Sequence, residues 1–198
     1  MKNKFCDWHL TILIASALLV SCATAPQKAL FIDPAYGETR LETLALLPVT
    51  YNADYDQPKE VNLSRMIRSR VQRTLQKKGF RTILVGPHYG GDTTDLWAAE
   101  PARLAAMAIN GSEAVVLIHV DFHVGIDFGE FRSGDPFSTV EIYGKSRLVS
   151  RENPRELWRD QGRGSDRSGF FGGGSPRLRE AVSDLAENLF ETLPSSSR

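Results

Sequence analysis

Two histidines and an aspartate recur at every second position in His119-Val120-Asp121-Phe122-His123. On an extended strand these three side chains share one face, with neighbours about 6.6–7 Å apart, a spacing from which an adjacent pair could grip zinc. All three do not converge easily, because His119 and His123 stand about 13 Å apart along the strand. A zinc site would need a ligand from a neighbouring strand, and Glu141 is the one the pattern offers. The simpler account is a polar sheet face without metal, and no metal or cofactor is expected. The stretch Gly162 to Ser175 (GRGSDRSGFFGGGS) is rich enough in glycine to suggest a phosphate loop running into a helix. It lacks the Gly-Lys-Ser/Thr ending of such loops and the spacing of a dinucleotide fingerprint. It is read as a long connection, with Ser175 as N-cap and Pro176 as first helical residue. Phe170 and Phe171 within it either contact a partner or lipid surface, or tuck onto the core. The helical segment 61–78 carries Arg65, Arg68, Arg70, Arg73, Lys77 and Lys78, with no acid after Glu60. Arg65, Arg68, Arg73 and Lys77 form a candidate surface for anionic headgroups or peptidoglycan carboxylates. Asp127-Phe128-Gly129 is a chance match to a kinase motif, since its companion signatures are missing. No Ser/His/Asp elbow, cysteine nucleophile or carboxylate pair points to hydrolysis.

These residues sit in a chain of 198, with 24 Lys+Arg balancing 24 Asp+Glu and 41% hydrophobic residues. That composition suits one globular domain with a real core, and zero net charge speaks against nucleic-acid binding. The N-terminus departs from it. Lys2 and Lys4 precede an uncharged apolar run of about 11 residues, Leu10 to Val20, the length of a signal-peptide core and too short to span a bilayer. Leu19-Val20-Ser21-Cys22 follows directly and resembles the lipobox of bacterial lipoproteins. The resemblance implies cleavage before Cys22 and acylation of its sulfur and new amino group. Cys6 falls in the segment to be removed, so the mature chain would keep one cysteine and form no internal disulfide. Ala23 at the next position implies, by analogy with enterobacterial sorting, the outer membrane and a periplasm-facing domain.

Residues 1–21 are thus read as a signal peptide, 22–40 as a lipidated flexible tether, 41–194 as one α/β domain and 195–198 as a disordered tail. Thr43–Val49 is a continuous apolar run, as for a strand covered on both faces. Leu63, Met66, Ile67, Val71 and Leu75 make one helical stripe, closed by Gly79. Phe80–Val85 reads as a strand, and Pro101 opens a short helix that Asn110-Gly111 closes. Ala114–Asp127 and Phe137–Val149 alternate apolar and polar residues, and Glu156–Gln161 returns as a third antiparallel strand. Leu178, Val182, Leu185, Leu189 and Leu193 stripe a last helix. The order β-α-β-α-β-β-β-α predicts a mixed sheet of about five strands with three helices packed mainly on one face.

LALLPV (44–49), KKGF (77–80), LAAMAINGSEAVVLIHV (104–120), ELW (156–158) and the helix ending at Leu193-Pro194 give the chain its resemblance to a group of small envelope domains. It is similar to the TolB N-terminal domain, the curli-secretion lipoprotein and the penicillin-binding-protein activator lipoproteins. That resemblance implies a binding or assembly role with another envelope protein or peptidoglycan, and it is compatible with oligomer formation. An auxiliary subunit of an envelope transport or secretion complex is the alternative, and a metal-dependent hydrolase using His119, Asp121 and His123 a more distant one.

Overall fold

The computed structural model describes residues 29–51, 60–86, 96–127, 137–169 and 178–196. It is a mixed α/β structure built on a seven-stranded sheet. The strands are β1 (Phe31–Ile32), β2 (Thr43–Leu46), β3 (Thr50–Tyr51), β4 (Arg81–Leu84), β5 (Ala114–Asp127), β6 (Phe137–Ser150) and β7 (Glu156–Gly169). The helices are α1 (Glu60–Lys77), α2 (Pro101–Ala106) and α3 (Leu178–Asn188), with a 3-10 turn at Pro34–Glu38. Across the sheet the order is β1-β7-β6-β5-β2-β4, and β3 continues along β5 beyond β2. β2 pairs in parallel with β4 and β5, whereas β5, β6 and β7 form an antiparallel meander. The expected order of elements holds, and β1 and β3 raise the strand count above five.

β2 has no polar face because both sides of it are covered. Leu44 and Leu46 join a core with Leu63, Ile67, Val71 and Leu75 of α1 and with Val182 and Leu185 of α3. Ala45 and Leu47 face the other way, into a smaller core with Leu96, Leu104, Val115 and Leu117. The sheet is thereby helix-covered on one face by α1 and α3 and partly covered on the other by α2 and its flanks. α1 ends where glycine permits it: Gly79 has φ +93°, and the Phe80 amide donates back to the Leu75 carbonyl at 3.0 Å. Among the described residues no helix is long and apolar enough to cross a membrane.

Two assignments made from sequence change. Residues 162–169, read as the start of a glycine loop, are the second half of β7. The reason is the approach of α3. A Cβ on Gly162 would lie 2.7 Å from the Leu189 amide nitrogen, one on Gly164 would collide with the Ala181 carbonyl oxygen, and one on Gly144 of β6 would press Leu185 at 3.1 Å. The helix backbone rests directly on the strands, and glycine makes room for it. Residues 31–38, placed in the tether, form β1 and the 3-10 turn. β1 pairs antiparallel with β7 through Phe31–Arg159 and Ile32–Trp158. The Tyr36 hydroxyl then donates to the Pro194 carbonyl at 3.1 Å, and burial pushes its pKa up to about 12.

Candidate functional site

The residues named from sequence divide into three groups in space. Cys22, Phe170 and Phe171 lie outside the described residues. The cations of α1 form the second group, and the meander's partly covered face the third.

α1 turns its apolar stripe to the sheet, which leaves the arginines to distribute around it. Arg65 and Arg73 are exposed. Arg68 is not a free surface cation. It follows Ile67 in the stripe, and its guanidinium Nη2 reaches the end of the sheet, donating to the carbonyls of Val85 (2.7 Å) and Leu46 (3.2 Å). Burial lowers its pKa, yet arginine stays charged. Lys77 pairs with Glu187 of α3 at 3.2 Å between exposed side chains, a contact of small energetic weight. Lys78 donates to the Glu191 and Leu193 carbonyls, closing the end of α3. The four-residue anionic-surface set therefore reduces to Arg65 and Arg73 as outward charges, with Lys77 shared.

The partly covered face is set by the register of the meander. Leu117, His119 and Asp121 of β5 stand beside Arg147, Lys145 and Tyr143 of β6, and these beside Arg159, Gln161 and Arg163 of β7. His119 is buried, 8% exposed, under the Trp97 ring at 5.7 Å. Its Nδ1 lies 3.0 Å from Thr50 Oγ1, whose hydroxyl donates to the Ile118 carbonyl at 3.2 Å. Asp121 Oδ1 is 3.9 Å from Nε2. Burial lowers the histidine pKa, Asp121 opposes that shift and Lys145 adds to it, so the ring is neutral at pH 7. Glu141, the ligand that sequence offered to a zinc site, instead accepts from the Tyr143 hydroxyl at 2.6 Å and from Arg163. Among the described residues no three His, Cys, Asp or Glu side chains gather within reach of one metal.

Sequence reasoning missed the buried ion pair on this face. Arg147 Nε donates to Glu156 at 2.6 Å, and both side chains are 10% exposed. Its Nη1 also donates to the Trp97 and Ala99 carbonyls at 2.7 and 3.2 Å. This arginine pins the segment before α2 to β6. The available signal was a charged residue one step from the apolar run Leu148-Val149, with an acid just across the turn. Beside the pair, Asp121, Tyr143, Lys145, Gln161, Arg163 and Asn188 line an open recess of about 610 Å³. Arg163 lies 5.6 Å from the Tyr143 ring centroid. The recess presents ammonium, guanidinium, amide and carboxylate groups around one aromatic ring. Such a surface holds polar ligands by hydrogen bonds and charge.

No protein-family model matches the sequence, and no curated protein matches it. Among solved structures the chain is similar to the lipoprotein GNA1162 from Neisseria meningitidis, at 23% identity over 68% of this chain and 88% of that one, with a TM-score of 0.44. It is similar also to a PelC dodecamer from Paraburkholderia phytofirmans, at 14% identity over 80% and 91% of the two chains, with a TM-score of 0.41. A third likeness is to a putative neuraminyllactose-binding hemagglutinin homolog from Helicobacter pylori, at 7% identity over 84% and 85%, with a TM-score of 0.46.

Proposed function

We propose that this chain is a lipid-anchored, non-enzymatic envelope protein whose α/β domain binds another envelope component, a protein or peptidoglycan, and serves its assembly or maintenance. One observation carries the reading: Leu19-Val20-Ser21-Cys22 stands directly behind an apolar run of signal-peptide length. Cys22 is the acylated residue, Ala23 directs the chain to the outer membrane, and the domain faces the periplasm. Binding rather than catalysis is favoured because several potentially reactive side chains among the described residues are committed to holding the fold. His119 is tied to Thr50, Arg147 to Glu156, Arg68 to two sheet carbonyls and Asp160 to Thr192. Arg65 and Arg73 supply an outward basic face for anionic surfaces. Phe170 and Phe171 are proposed as a partner contact.

Mass spectrometry of the chain purified from envelope membranes tests the anchor. Wild type is expected to begin at Cys22 and carry acyl chains, and Cys22→Ser to lose them and leave the membrane fraction. An unmodified wild-type Cys22 would overturn the reading. Crosslinking followed by affinity purification from the same membranes identifies the partner.

A further inference from the structure

Leu30, Phe31 and Ile32 are 56%, 39% and 45% exposed, three large apolar side chains in a row. Single exposed apolar residues are ordinary on protein surfaces, but a contiguous set at a sheet rim is not. The other large exposed hydrophobics among the described residues, Leu84 and Tyr143, stand alone on other strands. Phe31 and Ile32 make up β1, with Leu30 just before it, and β1 ends the sheet: one edge pairs with β7, and the other has no partner strand among the described residues. Side chains alternate along a strand, so Phe31 and Ile32 lie to opposite sides of the rim. At the last strand of a sheet both sides reach the same outer surface.

We infer that Leu30, Phe31 and Ile32 rest in the headgroup region of the membrane that holds the acylated Cys22, seating the domain on the bilayer by its β1 rim. The inference rests on the acylation proposed above. Leu30 stands eight positions after Cys22, and a fully extended chain over those eight steps spans at most about 29 Å. The apolar set therefore stays within a short distance of the lipid surface. Tethering at that range makes the contact intramolecular, so a patch too weak to recruit the domain alone still stays engaged. Depth is limited by the open edge of β1. Its outward backbone groups need water and cannot enter hydrocarbon, which leaves the headgroup zone, where an apolar edge and nearby cations are both accommodated. Arg159 supplies the cation. It is the cross-strand partner of Phe31, and although its Nε donates to Glu156 at 2.6 Å its side chain is 48% exposed, so the guanidinium meets anionic headgroups from the same rim.

The test uses the full chain, processed in a bacterial envelope, purified in detergent and reconstituted into phosphatidylethanolamine–phosphatidylglycerol vesicles. A processed, acylated chain has no free thiol, so Phe31→Cys, Ile32→Cys and, as control, Leu84→Cys each accept one environment-sensitive fluorophore. At 31 and 32 the emission is expected to be blue-shifted, quenched severalfold by brominated lipids and insensitive to aqueous iodide. At 84 the reverse is expected. Iodide quenching at 31 and 32 equal to that at 84 overturns the inference, and so does protection from both quenchers, which would mean that protein covers the rim, as in a second copy paired along β1. Mass spectrometry of the same samples separates the two levels. Acylated protein with an iodide-quenched label rejects the membrane contact alone, whereas unacylated protein rejects the anchor and the contact with it.

Discussion

Arg68 and His119 both have the sequence signature of surface chemistry, and both are structural. Helical spacing sets Arg68 beside Ile67 and so at the flank of the buried stripe. It could not show that two strand ends bring the Leu46 and Val85 carbonyls within its reach. Arg68→Ala is expected to cost about 1.5–3 kcal/mol in urea denaturation, because a charged donor to two carbonyls is lost. Arg73→Ala, on the exposed face, is expected to change stability by less than about 0.5 kcal/mol. An anionic-surface experiment should therefore reverse Arg65 and Arg73 and spare Arg68. For His119 the alternation of β5 gave the right face, but not the cover that Trp97 places on it. Burial, the largest cause, lowers its folded pKa below the ordinary 6.5, so the unfolded chain takes up the proton first as pH falls. Stability from the neutral ring is fully present above about 6.5 and is lost as pH falls towards the folded pKa, by up to about 1.4 kcal/mol per unit of depression. Urea midpoints compared at about pH 7.5 and about pH 5.5 should show this slope, and His119→Gln should flatten it.

The clearest gap between sequence and structure at the level of elements is β7. Glycine is a poor strand former, and the segment GRGSDRSG has the composition of a loop. Yet Gly162 and Gly164 are two apart and so share a face, and Gly144 lies across from Gly162 on β6. That alternation is the mark of a helix lying close on a sheet, legible once the three positions are aligned and invisible along the chain alone. Gly164→Ala is expected to destabilise the protein by about 1–3 kcal/mol or more, since the new methyl meets the α3 backbone rather than a flexible side-chain end. Gly86→Ala, with open space around it, should be within about 0.5 kcal/mol of wild type, and thermal denaturation of the pair isolates the effect. The meander also sets a gradient of protection. β6 is paired on both sides along its length, whereas beyond Trp158 and Arg159 the outer edge of β7 has no partner strand among the described residues. Hydrogen exchange should find β6 amides slower than the outward amides of residues 160–169.

At the scale of the molecule, composition and the order of apolar patterns foretold a mixed sheet, three helices and an antiparallel C-terminal half. They were silent on β1 and β3, two residues each, because so short a strand has no periodicity and is held by its neighbours' hydrogen bonds. They also could not reveal that the segment before Leu41 and the segment after α3 meet. Tyr36 bonds to Pro194 across 158 residues, Ser196 bonds to Leu41 across 155, and Leu189, Phe190 and Leu193 are buried in the main core. Ending the chain at Asn188 removes three fully buried side chains, each worth about 2–5 kcal/mol, against a typical net stability of about 5–15 kcal/mol. Loss of near-ultraviolet dichroism and of a cooperative thermal transition is the expected result. The pairing of β1 with β7 carries a further consequence, which concerns time rather than strength. The first strand of the domain waits for the last, so no partial length of chain can close the sheet, and long-range pairing of this kind is slow. A chain delivered across a membrane N-terminus first, as the proposed signal implies, would be fixed to the lipid before it could finish folding, and the final strand and helix to arrive would be the ones that lock it.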